Sequence, residues 1–141
     1  MKIVLDLDGT IADLYGVPNW EEYLNAEDTT PYDIARPLVN MSLLARLLNR
    51  AIKCGHEVCI LSWTSKTGSS DYNARVKESK LKWIRTHLKS VSFTSIEIVP
   101  YGTPKIGRDI LFDDEEGNRL TWGEGAHKPN EIFDVLKELI K

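Results

Sequence analysis

Two aspartates stand two residues apart near the start of the chain, in MKIVLDLDGTIAD. Asp6 is enclosed by Ile3, Val4, Leu5 and Leu7, residues that favour burial, and acid is costly in such a run unless it is partnered. Side chains of an extended segment alternate, so Asp6 and Asp8 project to the same side. Gly9 allows a sharp turn and close approach of backbone to a ligand, and Thr10 adds a hydroxyl. A second acid pair, Asp113 and Asp114, ends another apolar run, DILFDD. Four carboxylates brought to neighbouring strand ends repel one another, and a divalent cation removes that penalty. Hard oxygen ligands with open positions suit Mg²⁺, which keeps some waters and takes phosphate oxygens. Asp6, Asp8, Asp113 and Asp114 are therefore the metal candidates.

The elements that must carry these acids can be read along the chain. Residues 2–7, 57–62, 96–99 and 109–113 read as short buried strands. Residues 38–53, 73–89 and 131–140 read as helices, with Gly55 at the end of the first and Pro129 at the start of the last. Alternation of strands and helices predicts an α/β fold with a mainly parallel sheet in three layers. Such sheets bind ligands beyond the carboxyl ends of their strands, near the switch in strand order. Asp6, Asp8, Ser62, Asp113 and Asp114 all fall at such ends.

Two stretches break the alternation. Residues 13–35 hold six acids and no Lys or Arg, together with Tyr15, Trp20, Tyr23 and Tyr32. They read as a small cap or flap inserted into a single domain spanning residues 1–141. Residues 64–72 read as a polar loop.

The motifs resemble those of the haloacid dehalogenase-like (HAD) superfamily. DLDGT at 6–10 looks like its first motif, ILS at 60–62 its second, and DILFDD at 109–114 its fourth. Lys105 stands where the third-motif lysine often does. KWIRTHL at 82–88 and VPYGTPK at 99–105 are similar to segments of the small 5′(3′)-deoxyribonucleotidase group, with a shorter Lys-to-acid interval here. The resemblance implies a HAD-like Rossmannoid fold and a Mg²⁺-dependent phosphatase that hydrolyses a small phosphomonoester, with a nucleoside monophosphate favoured. Asp6 would be the nucleophile that forms an aspartyl-phosphate, and Asp8 the general acid and base. Ser62 would bind a phosphate oxygen, with Thr10, Trp63 and Thr64 as further substrate-side candidates. Lys105 would balance charge on the phosphoryl group and on Asp6, with Lys66 and Lys80 as rivals. Asp6, the Asp8 carbonyl, and Asp113 or Asp114 would hold the Mg²⁺.

Composition sets the frame. The chain has 141 residues, 42% apolar and 28% charged, with a formal net charge of −3, so nothing global marks a polyanion binder. Lys66, Arg75, Lys77, Lys80, Lys82, Arg85 and Lys89 read as the wet face of an amphipathic helix. Cys54 and Cys59 read as free thiols of a reducing compartment, and the acid-broken N-terminus is a poor signal peptide, so cytoplasm is the expected location. His56 and His87 read as structural, and His127 as a loop residue. Three competitors stay open: a 3′-phosphatase of nucleic-acid ends, a non-catalytic phosphate-ligand binding or regulatory protein, and the dehalogenases and phosphomutases that the resembled superfamily also includes, the paired acids favouring phosphoryl chemistry over dehalogenation.

Overall fold

The structure, a computed structural model, describes residues 1–141. Its central sheet is built from β1 (Lys2–Leu5), β4 (Glu57–Trp63), β5 (Ser95–Val99), β6 (Ile110–Phe112) and β7 (Ala126–His127), in the order β5-β4-β1-β6-β7. All four pairings are parallel. The chain steps outward from β1 through β4 to β5, then returns to the other side of β1 for β6 and β7. The switch in strand order therefore lies between β1 and β6, at the ends that carry Asp6 and the 113–114 acid pair.

Pleating divides the strands between two faces. Ile3, Leu5, Val58, Ile60, Ile110 and Phe112 join a core of 22 buried residues. That core is closed by α3 (Met41–Lys53), α4 (Ser70–His87) and α6 (Ile132–Leu139), through side chains such as Leu44, Leu48, Ile84 and Leu136. Val4, Cys59 and Leu111 point the other way and meet Trp122 of α5 (Glu116–Trp122). The five-stranded sheet is thus flanked by helices in a Rossmann-like three-layer α/β arrangement, with one outer layer much thicker than the other. No helix is long and apolar enough to cross a membrane.

The insertion is fastened at its base by a two-residue ribbon, β2 (Ala12–Asp13) antiparallel to β3 (Arg36–Pro37). Between them lie two short helices, α1 (Trp20–Asn25) and α2 (Thr30–Ile34). Leu14 and Tyr32 of the flap pack with Tyr72 and Val76 of α4. A polar latch reinforces this contact: the Glu27 carboxylate accepts from Ser69 N at 2.9 Å and from Ser69 Oγ at 2.8 Å, and Tyr72 Oη donates to the Asp28 carbonyl.

Several boundaries differ from the sequence expectation. The α4 helix begins at Ser70 rather than 73, because Ser69 Oγ caps it by accepting from Tyr72 N. Its first turn thus takes the end of the expected 64–72 loop. Residues 115–127, where the sequence suggests no helix or strand and His127 reads as a loop residue, include α5 and β7. With only Asn118 and Trp122 buried, α5 is too short to show a periodic apolar stripe. His127 lies in β7, where its carbonyl accepts from Asp113 N at 3.2 Å, and its ring pairs with Glu131 at 3.3 Å.

Candidate active site

The carboxyl ends of β1, β4 and β6 and the flap surround a cavity of about 220 Å³. Its wall includes Asp6, Asp8, Ser62, Trp63, Thr64, Lys105, Asp113 and Asp114. These residues come from four separate parts of the chain, and the strand order alone brings them together.

After β1 the backbone turns back on itself, with the N–H groups of Thr10, Ile11 and Ala12 all aimed at the Leu7 carbonyl. The turn passes through Gly9 at φ 79°, and a Cβ there would stand 2.2 Å from Asp114 Oδ2. Only glycine meets both the left-handed backbone and the close approach of the second acid pair. The turn also corrects one expectation. Thr10 is fully buried and lies off the cavity wall. Its Oγ1 lies 3.1 Å from Asp6 Oδ2 and 3.4 Å from Asp114 Oδ1, so it braces carboxylates instead of receiving substrate.

Two buried lysines organise the acids. Lys105, 1% exposed, donates to Asp6 Oδ1 at 3.0 Å, Asp113 Oδ2 at 2.7 Å and the Leu61 carbonyl at 3.0 Å. Burial pushes its ammonium down, but the charges of Asp6 and Asp113 outweigh that and hold its pKa above the usual lysine value. Lys80, 2% exposed, donates to Asp8 Oδ2 and Ser62 Oγ, each at 2.8 Å, and to the Trp63 carbonyl. This corrects the reading of the α4 charges as one wet face: Lys80 points inward while its neighbours face water. Lys105 and Lys80 both belong to the site, rather than one standing in for the other, and Lys66 lies at the cavity wall.

Asp113 and Asp114 differ sharply. Asp113 is fully buried, and both its oxygens are occupied: Oδ1 by Glu115 N at 2.9 Å, Oδ2 by Lys105 and by Asn118 Nδ2 at 3.1 Å. Asp114 receives only the long Thr10 contact. Burial, then the charges of Asp6 and Asp113, push Asp114 up to about 8. Asn118 gave no sequence signal beyond following the acid pair by one helical turn.

This donor set fits a divalent cation. Asp6, Asp113 and Asp114 each offer a carboxylate oxygen within 4.8 Å of the others. With Asp114 ionised, four carboxylates would face two ammonium groups, Lys80 and Lys105, and two negative charges would stay uncompensated. Asp114, short of protein donors and held in its protonated form to high pH, has the lone pairs to spare. The Asp8 carboxylate lies outside the cluster because Lys80 holds it, so among the four expected ligands Asp8 has only its backbone carbonyl to offer.

A stability test follows. Without metal, folded Asp114 keeps its proton to about pH 8, whereas an unfolded aspartate releases it near pH 4. Between those values the folded state binds more protons, so stability falls as pH rises. In EDTA the melting temperature is expected to drop between pH 5.5 and 8.5, and Mg²⁺ to raise it most at pH 8.5. Asp114→Asn should flatten the EDTA slope and remove most of the Mg²⁺ shift. A flat EDTA profile in the unmodified protein would contradict the assignment.

The upper walls are aromatic. Trp63 and Tyr101 pack with ring centroids 4.8 Å apart, and Trp63 Nε1 donates to the Thr103 carbonyl at 2.9 Å. Tyr15 and Trp20 of the flap line the same cavity and meet edge to face at 5.0 Å. Burial, then the charges of Asp8, Asp114 and Asp6, raise the pKa of Tyr15 well above the ordinary phenol value, so it stays neutral. Tyr32 is buried against α4 and anchors the flap. Comparisons with protein-family models, with curated proteins and with solved structures return no match for this chain.

Proposed function

We propose that this chain is a Mg²⁺-dependent phosphomonoester hydrolase of the HAD type that works through an aspartyl-phosphate at Asp6, with a nucleoside monophosphate as the favoured substrate. The observation that carries the reading is the arrangement at the end of β1. One carboxylate, Asp6, is held between Lys105 and Thr10 at the edge of an acid cluster. A second, Asp8, is held two residues on by a different lysine beside Ser62.

In this reading an Asp6 oxygen attacks phosphorus, the bond from phosphorus to the leaving oxygen breaks, and that oxygen takes a proton from the Asp8 carboxyl group. Asp8, now a carboxylate, takes a proton from water as the water oxygen attacks phosphorus. The bond from phosphorus to Asp6 breaks, inorganic phosphate leaves, and both aspartates return to their starting forms. Ser62 donates to a phosphate oxygen. Lys105 steadies Asp6, its three N–H groups already matched to three acceptors. Asp6 and Asp114, with the Asp8 carbonyl and Asp113 alongside, would hold a divalent cation, which would supply neutralisation of the charge on the phosphoryl oxygens.

The aromatic walls favour a flat leaving group. A base entering the cavity meets aromatic side chains from β4 and the loop after β5, Trp63 and Tyr101, and from the flap, Tyr15 and Trp20. The acidic flap at the same mouth disfavours a long polyanion, and the cavity volume suits a small ester.

The deciding experiment is a Mg²⁺-dependent hydrolysis screen over nucleoside monophosphates, sugar phosphates and a 3′-phosphorylated oligonucleotide, with EDTA as control. Base stacking is worth about 1–3 kcal/mol, so Trp63→Ala should raise KM for a nucleoside monophosphate about tenfold and leave KM for ribose 5-phosphate within about twofold. Absence of hydrolysis of every ester would overturn the proposal. Equal KM changes on the two esters would remove the nucleotide preference.

A further inference from the structure

Within α4, Tyr72, Val76, Lys80, Trp83 and Ile84 are buried, the spacing of a single helix face. Lys80 is therefore a cation in the middle of a core-facing stripe, which is costly unless every N–H finds an acceptor. An ammonium has three donors, and here Asp8 Oδ2, Ser62 Oγ and the Trp63 carbonyl take all three. None is left for an incoming phosphate, so Lys80 does not act as a phosphate ligand.

Lys105 makes the same pattern one step away. Each lysine joins an aspartate at the end of β1 to a carbonyl of β4: Lys105 joins Asp6 to Leu61, and Lys80 joins Asp8 to Trp63. Both pairs are offset by two residues, so the lysines form successive rungs on one side of the two strands. The lower rung holds the attacking carboxylate and the upper rung the proton-transferring one.

We propose that Lys80 is a positioning residue for the chemistry of Asp8 and Ser62. By taking Asp8 Oδ2 it leaves Oδ1, which has no protein hydrogen bond and is not sealed from solvent, as the oxygen that carries the proton. By donating to Ser62 Oγ it fills an acceptor site and leaves the Ser62 hydroxyl hydrogen to point at phosphate. The Tyr32 ring, with its centroid 5.3 Å from Lys80 Nζ, closes the flap side of the ammonium. This role rests on the phosphohydrolase reading above.

The test compares two esters. Lys80→Met removes the donors at similar length, and Lys80→Gln keeps two N–H donors in case the Met variant fails to fold. A nucleoside monophosphate has an alkoxide leaving group that needs a proton, whereas 4-nitrophenyl phosphate releases a stable phenolate without one. The kcat/KM ratio reports the steps up to phosphoryl transfer to Asp6. In either variant it is expected to fall about 100-fold for the nucleotide and less than about tenfold for the nitrophenyl ester, in line with loss of general-acid assistance. The double variant Lys80→Met/Asp8→Asn should be slower than Asp8→Asn alone by less than about tenfold, the Ser62 share, because the larger effect of both changes runs through one carboxyl group. Equal losses on the two esters, or multiplied losses in the double variant, would overturn the assignment and leave Lys80 a packing residue. An unmodified protein that hydrolyses neither ester with Mg²⁺ overturns the phosphohydrolase reading and this role with it, so the unmodified protein separates the two failures.

Discussion

Asp6→Asn is expected to lower kcat by on the order of 10⁴-fold or more, because it removes the nucleophile rather than a supporting contact. The amide oxygen can still accept from Lys105, and Thr10 Oγ1 can accept from the amide NH2 that replaces Oδ2, so the turn after β1 should persist. The cluster loses one of the charges that raise Asp114. Metal-free stability near pH 8 should therefore hold or increase while activity vanishes. Two measurements separate this from general damage. Acid-quenched enzyme turning over a ³²P-labelled ester should retain label on the protein when unmodified and not as Asp6→Asn. Thermal unfolding in EDTA should show no loss for the variant. Turnover by Asp6→Asn at the unmodified rate would end the covalent route.

The fold was legible where apolar runs were long or periodic. The β1, β4 and β6 strands carry continuous apolar residues because both their faces are covered, and α3 repeats Leu44, Leu47, Leu48 and Ala51 at helical spacing. The site's two acid pairs were legible because a carboxylate at the end of a buried apolar strand is costly without a partner. What escaped notice depends on tertiary partners. Lys80 sits among six other basic residues between 66 and 89, and charge alone cannot separate it from them. Its spacing from Val76 and Ile84, four residues to either side, was the available signal. Thr10 follows the acid pair as a substrate contact would, yet the tight turn through Gly9 folds its hydroxyl back onto Asp6. The inequality of Asp113 and Asp114 was invisible, since it arises from Asn118 and Lys105 closing on one of two adjacent identical side chains.

Lys105→Met should be the most destabilising single change at the site. Its ammonium is all but inaccessible and bridges two buried carboxylates, and removing one partner of a buried pair costs about 3–5 kcal/mol. The loss should depend on pH in a definite direction. In the unmodified protein the lysine pKa is raised above its unfolded value, so its contribution is complete below about pH 10 and fades only above that. Without Lys105, Asp113 loses the cation that opposes its upward shift and stays beside Asp6. Its folded pKa then rises further above the unfolded value. The variant binds more protons folded than unfolded across the mildly acidic and neutral range, and its stability falls as pH increases. The gap between the two proteins in urea unfolding, measured in EDTA, should therefore widen from pH 5.5 to pH 8. Adding Asp113→Asn should narrow the gap at pH 8, because the buried charge left behind is gone. It should restore no turnover, since Asp6 still lacks the cation that steadies it. A gap that is constant with pH would mean that Lys105 stabilises the fold through packing of its stem and not through the two carboxylates.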